Sequence, residues 1–170
     1  MNPALDLTVQ LGPLQLGQVN RSEAMLSHAA GKGLNVAQVL ADLGHELTVA
    51  GFLGVDNQQP FEALFSRRGF VDEFVRVPGE TRSNIKLAEH SGRITDLNGP
   101  GPMVSEDAQQ ALFARVEQIA SGFDAVVVAV PDFMQARMTA AAAQNKKDVY
   151  VEKGWCVTLD EAKRMRAAVK

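Results

Sequence analysis

The sequence predicts an α/β fold, a doubly wound and mostly parallel sheet that carries a small β lid. Two observations lead to this fold class. Segments with helical spacing of apolar residues alternate with short apolar runs, an order typical of a parallel sheet covered by helices. Residues 124–131 contain a continuous apolar run from Ala125 to Val130, which is typical of a central parallel strand. Short polar segments between residues 70 and 98 interrupt this order and predict the lid.

The first half begins with a short strand and then alternates helix and strand. Gly44 is predicted to end the first helix. The second helix is predicted to begin at Asn57 or Gln58, with Pro60 in its first turn. The predicted elements are a strand at 5–11, a helix at 33–46, a strand at 47–54 and a helix at 57–70.

The second half begins with the polar hairpin. Its turn is predicted at Ser91–Gly92, and its polarity on both sides favours a lid over a core sheet. Residues 99–102 act as a linker, Ser105 caps the next helix, and Thr158 caps the last one. The remaining predicted elements are a helix at 105–120, a strand at 124–131, a helix at 132–146, a strand at 148–153 and a helix at 158–170.

Composition narrows the classes of function. The chain has 170 residues, 46% hydrophobic and 22% charged, with a net charge of −3, so we expect no nucleic-acid partner and no membrane partner. No apolar run is long enough to span a membrane, and the first residues do not resemble a signal peptide. One cysteine, Cys156, excludes an internal disulfide and favours a cytoplasmic location. The three histidines have no metal-ligand spacing with it, so we expect no metal site.

Two glycines flank a lysine at the predicted start of the first helix. Gly31, Lys32 and Gly33 precede the apolar positions, and Asn35 adds a polar side chain in the first turn. The free N–H groups and positive dipole of a helix start attract anions, so the pattern predicts an anion or polyol site. A tight turn with a solvated lysine would give the same pattern.

A second polar pattern lies on the first strand of the hairpin. Arg82, Asn84 and Lys86 alternate and therefore project from one face, where two cations and an amide suit a phosphate group. A solvated edge strand protected by charge explains the pattern equally well. Asp6 lies on the first predicted strand and suits sugar hydroxyls, although carboxylates of this kind are common on surfaces.

Several segments occur together in an order that resembles the PfkB (ribokinase-like) family of sugar kinases, over residues 1 to about 129. They are "NPALDLTVQL", "GQVNRSE", "AAGKGLNVAQVLADLG", "GFLGVDN", "PGETRSNIK" and "TDLNGPGP". The resemblance implies a ribokinase-like fold and the ATP-dependent phosphorylation of a sugar phosphate, fructose 1-phosphate, with ATP and Mg²⁺ as cofactors. It also implies that the lid, at about 10–27 and 70–98, covers the substrate and can pair two copies of the chain.

The same resemblance implies a role for each candidate residue. Asp6 and Asn35 would bind the sugar, and Gly31, Lys32 and Gly33 would form the glycine-rich substrate loop. Arg82, Asn84 and Lys86 would face the sugar phosphate. No catalytic residue is assigned, because the family's Gly-Ala-Gly-Asp segment, which supplies the base, does not occur in the sequence. We therefore expect substrate binding with little or no turnover.

The tail, residues 130–170, resembles a second family, the Gfo/Idh/MocA oxidoreductases. Lys153 matches the lysine that this family uses beside the nicotinamide, which implies NAD(P) as an alternative cofactor. Gly154 stands where that family has proline, and Gln135 stands where histidine is common. Two alternatives to the kinase thus remain, a fused module without catalysis and a remnant of an NAD(P)-dependent oxidoreductase.

Overall fold

The computed structural model describes residues 1–152, 154 and 156–169, in which strands and helices alternate as an α/β protein. The helices are α1 (Lys32–Asp42), α2 (Gln59–Arg68), α3 (Glu106–Ala120), α4 (Asp132–Gln144) and α5 (Leu159–Val169). The strands are β1 (Ala4–Leu11), β2 (Ser22–Ala30), β3 (Thr48–Val49), β4 (Phe52–Gly54), β5 (Val71–Asp72), β6 (Val75–Val77), β7 (Ser83–Glu89), β8 (Ile94–Asn98), β9 (Ala125–Val128) and β10 (Asp148–Val151).

The lid is a four-stranded sheet with the strand order β2-β1-β7-β8. Strands β1 and β7 run parallel, whereas the two outer strands pair antiparallel with them. This sheet takes in all of β1 and β2 and so begins earlier than the predicted lid. Residues 71–77, which the prediction placed in the lid, pair instead with β3 and β4. They belong to the body because their neighbours Phe70 and Phe74 are buried in its core.

The body contains three parallel strand pairs, β3–β5, β4–β6 and β9–β10. The predicted strand at 47–54 divides into β3 and β4, but its hydrogen bonds to the 71–77 segment continue across the break. Leu47, Val49 and Gly51 each accept a backbone hydrogen bond from that segment, at 2.9–3.0 Å. The prediction of one strand in this region therefore describes the pairing correctly.

The core lies where α1 and α2 meet β3 and β4. Phe61 and Leu53 are fully buried there, and the rings of Phe65 and Phe74 stack with their centroids 5.4 Å apart. Leu5 of the lid sheet packs against the same cluster. The base of the lid is thus anchored in the core, and this contact fixes its position relative to α1.

Local signals in the sequence set most helix boundaries. The Ser105 hydroxyl accepts a hydrogen bond from the Ala108 N–H at 3.2 Å, which confirms it as the cap of α3. Gln58 precedes α2, with Pro60 in the first turn as predicted. The Thr158 hydroxyl accepts a hydrogen bond from the Glu161 N–H at 3.3 Å, which confirms Thr158 as the cap of α5.

Strand β9 has fewer neighbours than its sequence predicts. Its continuous apolar run is typical of a strand paired on both edges, but in the described part of the chain it pairs only with β10. Val128 is nevertheless buried. The second edge of β9 faces an apolar cavity.

Among the described residues, no helix is long and apolar enough to cross a membrane.

Candidate functional site

Two of the candidate residues form a direct hydrogen bond across the lid sheet. Asp6 on β1 lies opposite Asn84 on β7, and the Asn84 Nδ2 group donates to the Asp6 carboxylate at 2.9 Å. The Asn84 Oδ1 atom is buried without a hydrogen-bond partner. The pair therefore offers ligand hydroxyls one accessible group of acceptors, the Asp6 carboxylate, which the Asn84 amide holds in place.

The strand pairing extends this polar face beyond the candidates that the sequence indicated. His28 on β2 lies opposite Asp6, and Asn98 on β8 lies opposite Asn84. Residues directly opposite each other in a sheet share a face, so these side chains form one polar row across all four strands. A sequence pattern within one strand cannot indicate this row, because its members come from four strands whose register the structure alone supplies.

The start of α1 lies beside a cavity that contains two of the predicted cations. Lys32, the first residue of α1, and Arg82, which directly precedes β7, both line a cavity of about 180 Å³. Neither side chain forms an ion pair with a described residue; Arg82 donates only to the Pro3 carbonyl, at 3.4 Å. Glu152 adds a carboxylate to the lining. The cavity thus suits a ligand that carries an anionic group together with hydroxyls.

The helix start itself is open to an anion. No side chain caps α1, no acidic residue lies in its first turn, and its first intrahelical bond runs from the Asn35 N–H to the Gly31 carbonyl at 2.9 Å. The N–H groups of the preceding residues have no intrahelical partner. Together with the Lys32 and Arg82 side chains, they supply a positive environment for a phosphate group.

The two glycines have structural reasons to be there. Gly31 has a φ of 123°, which favours glycine, and a Cβ on it would lie 3.0 Å from the Asn2 carbonyl oxygen. A Cβ on Gly33 would lie 2.9 Å from the Met1 side chain and 3.2 Å from Ala129. Backbone conformation and a close backbone contact thus favour glycine at position 31, and tight packing favours it at position 33; the contact of either glycine with a ligand stays a prediction.

Arg82 is positioned by a buried threonine that the sequence analysis missed. Thr81 is 2% exposed, and its hydroxyl accepts from the Gly54 N–H at 2.9 Å. The Asn57 side chain donates to the Thr81 carbonyl at 2.9 Å and accepts from the Thr81 N–H at 2.8 Å. These three hydrogen bonds fix the backbone that leads into Arg82, so the cation is held at the cavity by the body of the protein.

The other candidates lie outside this cavity. Asn35 and Lys86 are exposed, and neither lines it. Gln135 is buried at the cavity, where it donates to the Val130 carbonyl at 3.0 Å. Lys153 falls outside the described residues. The described residues contain no group of three His, Cys, Asp or Glu side chains that could hold a metal ion.

Comparison with known proteins places the chain among kinases. The family model for pfkB family carbohydrate kinases matches residues 1–170. The chain is 46% identical over 129 residues to 1-phosphofructokinase of Vibrio cholerae, which covers 76% of this chain and 41% of that protein. It is 50% identical over 101 residues to 1-phosphofructokinase of Escherichia coli K12, over 59% of this chain and 32% of that protein. The chain thus spans less than half the length of these relatives.

The solved structures agree with this placement. A structure from Thermotoga maritima, described as a possible 1-phosphofructokinase, superposes with a TM-score of 0.77 and 27% identity, covering 98% of this chain and 55% of that one. The phosphofructokinase-2 of Escherichia coli, at 20% identity and a TM-score of 0.70, shares the fold. The family model matches the tail, and the Thermotoga superposition covers 98% of the chain, so neither comparison supports the oxidoreductase resemblance or its NAD(P) cofactor. The chain belongs to the pfkB family of carbohydrate kinases.

Proposed function

We propose that this chain binds a phosphorylated sugar of the fructose 1-phosphate class and forms the substrate-binding part of an ATP-dependent sugar-phosphate kinase. The observation that carries the proposal is the cavity at the uncapped start of α1, where Lys32 and Arg82 lie together without carboxylate partners among the described residues. The 1-phosphofructokinases that match the chain support the choice of substrate.

Each part of the ligand has a chemically suitable partner. The phosphate would lie between the Arg82 guanidinium, which can donate two parallel hydrogen bonds, and the N–H groups at the start of α1. The sugar hydroxyls would extend along the polar row and donate to the Asp6 carboxylate, which the Asn84 amide orients. Lys86, farther along the same face, would contribute positive charge without direct contact.

Kinases of this family use ATP and Mg²⁺, but the described residues do not fit such a site. They contain no carboxylate cluster for the metal, and the sequence has no Gly-Ala-Gly-Asp segment to supply a base. A phosphoryl transfer that lacks a positioned base and charge stabilisation loses most of its rate enhancement. We therefore propose ground-state binding of the sugar phosphate, with little or no turnover, by these 170 residues alone.

Isothermal titration of the chain with fructose 1-phosphate tests this proposal. Arg82→Ala should weaken binding by tenfold or more, because a hydrogen bond to a charged group contributes about 1.5–3 kcal/mol. Arg67→Ala is the matched control, since Arg67 is an exposed arginine outside the cavity. Unphosphorylated fructose should bind weakly and show no difference between the variants. Equal affinity of both variants for the phosphorylated sugar, or no binding by the unmodified chain, would refute the site.

We propose further that two copies of the chain pair through the lid. The face of the lid sheet opposite the polar row is apolar, and its Met25 and Leu97 side chains are 62% and 51% exposed. The related phosphofructokinase-2 of Escherichia coli has a tetrameric form, which supports association in proteins of this fold. Leu97→Lys should convert a dimer to a monomer in light scattering; a chain that is already monomeric at micromolar concentration would contradict the proposal.

A further inference from the structure

An apolar cavity of about 460 Å³ separates two strands of the body and is distinct from the smaller cavity that contains Lys32 and Arg82. Its walls are β3 on one side and β9 on the other. Helices α1 and α3 complete the lining with apolar side chains, Val36 and Leu40 from α1 and Leu112 and Val116 from α3. The cavity therefore lies between the edges of two strands and is lined by apolar side chains of two helices.

Both strand edges direct backbone groups into this cavity. Successive residues in a strand point their N–H and C=O groups toward opposite edges. The Val49 carbonyl is bonded to the β5 side, by Glu73 at 2.9 Å, so Thr48 and Ala50 face the cavity. The Val128 carbonyl is bonded to Glu152 at 3.1 Å on the β10 side, so Val127 and Ala129 face the cavity in the same way.

Met1 occupies the end of the cavity and shows which direction a chain there would take. Its amino group donates to the Ala50 carbonyl, directly after β3, at 2.6 Å. Its side chain and Ala129, directly after β9, both lie within 3.2 Å of the position that a Cβ would take on Gly33. Met1 thus lies at the carboxyl ends of both strands, and a segment that reached it through the cavity would run parallel to them.

We propose that this cavity is a receptor for one further β-strand, an extended apolar peptide of about four residues that runs parallel to β3 and β9 and whose last residue adjoins Met1. The length follows from the four residues of β9 that line the cavity, since strands rise equally per residue. The hydrogen bond from Met1 to Ala50 is the first rung of the ladder that such a strand would complete.

The lining specifies a strand and its composition. The cavity-facing edges of β3 and β9 each present a row of backbone hydrogen-bond donors and acceptors. A further strand has such groups on both of its edges and could therefore pair with both rows. Apolar side chains of α1 and α3 line the cavity, so a strand there would carry apolar side chains, as in a run of valines and isoleucines. The Met1 nitrogen supports this assignment, since burial lowers the pKa of its amino group to about 5. A peptide bond at that nitrogen would carry no charge and would retain the N–H that Ala50 accepts.

Amide hydrogen exchange on the full chain tests the proposal. One variant carries the four-residue extension Val-Ile-Val-Val directly ahead of Met1, and a matched control carries Ser-Asp-Gly-Ser at the same place. We expect the apolar extension to slow exchange at the Thr48 and Val127 amides by tenfold or more and to raise the thermal midpoint. The amides of Val49 and Val128, which face the strands already paired, serve as internal references.

The two cavity-facing amides together decide whether a strand fills the cavity. Slower exchange at both cavity-facing amides with the apolar extension, and unchanged exchange with the polar one, supports the strand receptor. Unchanged exchange with both extensions overturns it, as does protection on one edge alone, because a strand that fills the cavity must pair with β3 and β9 together. An apolar dye such as anilinonaphthalene sulfonate adds a second readout. Dye that remains bound in the presence of the apolar extension would also overturn the proposal and identify the cavity as a general apolar pocket.

Discussion

Acetylation of the Met1 amino group tests how much the burial of this group lowers the free energy of unfolding. The nitrogen donates to the Ala50 carbonyl at 2.6 Å, and burial lowers the pKa of the amino group from 8.0 to about 5. Each unit of pKa shift corresponds to 1.36 kcal/mol between the two protonation states, so the full difference amounts to about 4 kcal/mol. Domains are stable by about 5–15 kcal/mol, which makes this a large fraction of the whole.

The sign follows from proton binding. Between pH 5 and pH 8 the unfolded chain carries a proton on Met1, whereas the folded chain has a neutral amine there. Unfolding therefore takes up a proton, and the free energy of unfolding rises by about 1.4 kcal/mol per pH unit across this window. Above pH 8 both states are neutral and the contribution is flat. Below pH 5 both are protonated, and the folded state retains the full penalty.

Urea unfolding of the free and acetylated chains at pH 5, 6, 7 and 8, followed by circular dichroism, measures the effect. An acetylated nitrogen keeps the N–H that Ala50 accepts but cannot be charged. The two forms share every side chain that lines the cavity and differ only at the Met1 nitrogen, so the difference between their stabilities reports on that nitrogen alone. The two stability curves should meet near pH 8 and separate by about 4 kcal/mol at pH 5. Parallel curves over this range would refute the burial of the amine.

Three substitutions and one control substitution test the packing that supports the site, each by urea unfolding. In Gly54→Ala the new Cβ would lie 2.5 Å from the Gly79 carbonyl oxygen, so we expect a loss of about 3 kcal/mol, whereas Gly12→Ala meets nothing within 4 Å and should change stability by less than about 1 kcal/mol. Equal effects would contradict this reasoning. Phe61→Ala should cost about 4 kcal/mol because Phe61 is fully buried, and a loss below 2 kcal/mol would mean that the core collapses around the gap. Arg76→Ala removes ion pairs to two carboxylates at 2.6 and 3.1 Å on a partly exposed side chain, so we expect about 1–2 kcal/mol, reduced by salt; a salt-independent loss would point to packing instead.

Local chemistry made the element boundaries predictable. The Ser105 hydroxyl, the proline at position 60 and the Ser91–Gly92 turn each act within a few residues, and the structure confirms all three. The same holds for the alternation at Arg82 and Asn84, which fixes the face of a strand whatever that strand pairs with. These features depend on backbone geometry that neighbouring residues alone determine.

Contacts between distant segments could not be predicted in this way. Asp6 and Asn84 were both candidates, but their hydrogen bond depends on the parallel register of β1 and β7. Thr81 gave no signal, because its role arises from its bonds to residues 24 and 27 positions earlier in the chain. The unpaired edge of β9 is the clearest case, since an apolar run reports burial of a strand's faces and carries no information about its edges.

The end of β9 links the two proposals physically. Ala129 and Val130 line both the apolar cavity and the smaller cavity that contains Lys32 and Arg82. Met1 packs beside Ala129 against Gly33, the second residue of α1. A strand paired along β9 would hold Ala129 in place and thereby fix the wall of the anion cavity and the helix start that faces it. Binding that orders one cavity lowers the entropic cost of binding at the other, so the apolar extension should tighten fructose 1-phosphate binding in the unmodified site and have no effect on it in Arg82→Ala. An extension that protects the cavity-facing amides yet leaves sugar-phosphate affinity unchanged would show that β9 is rigid at this end without its neighbour.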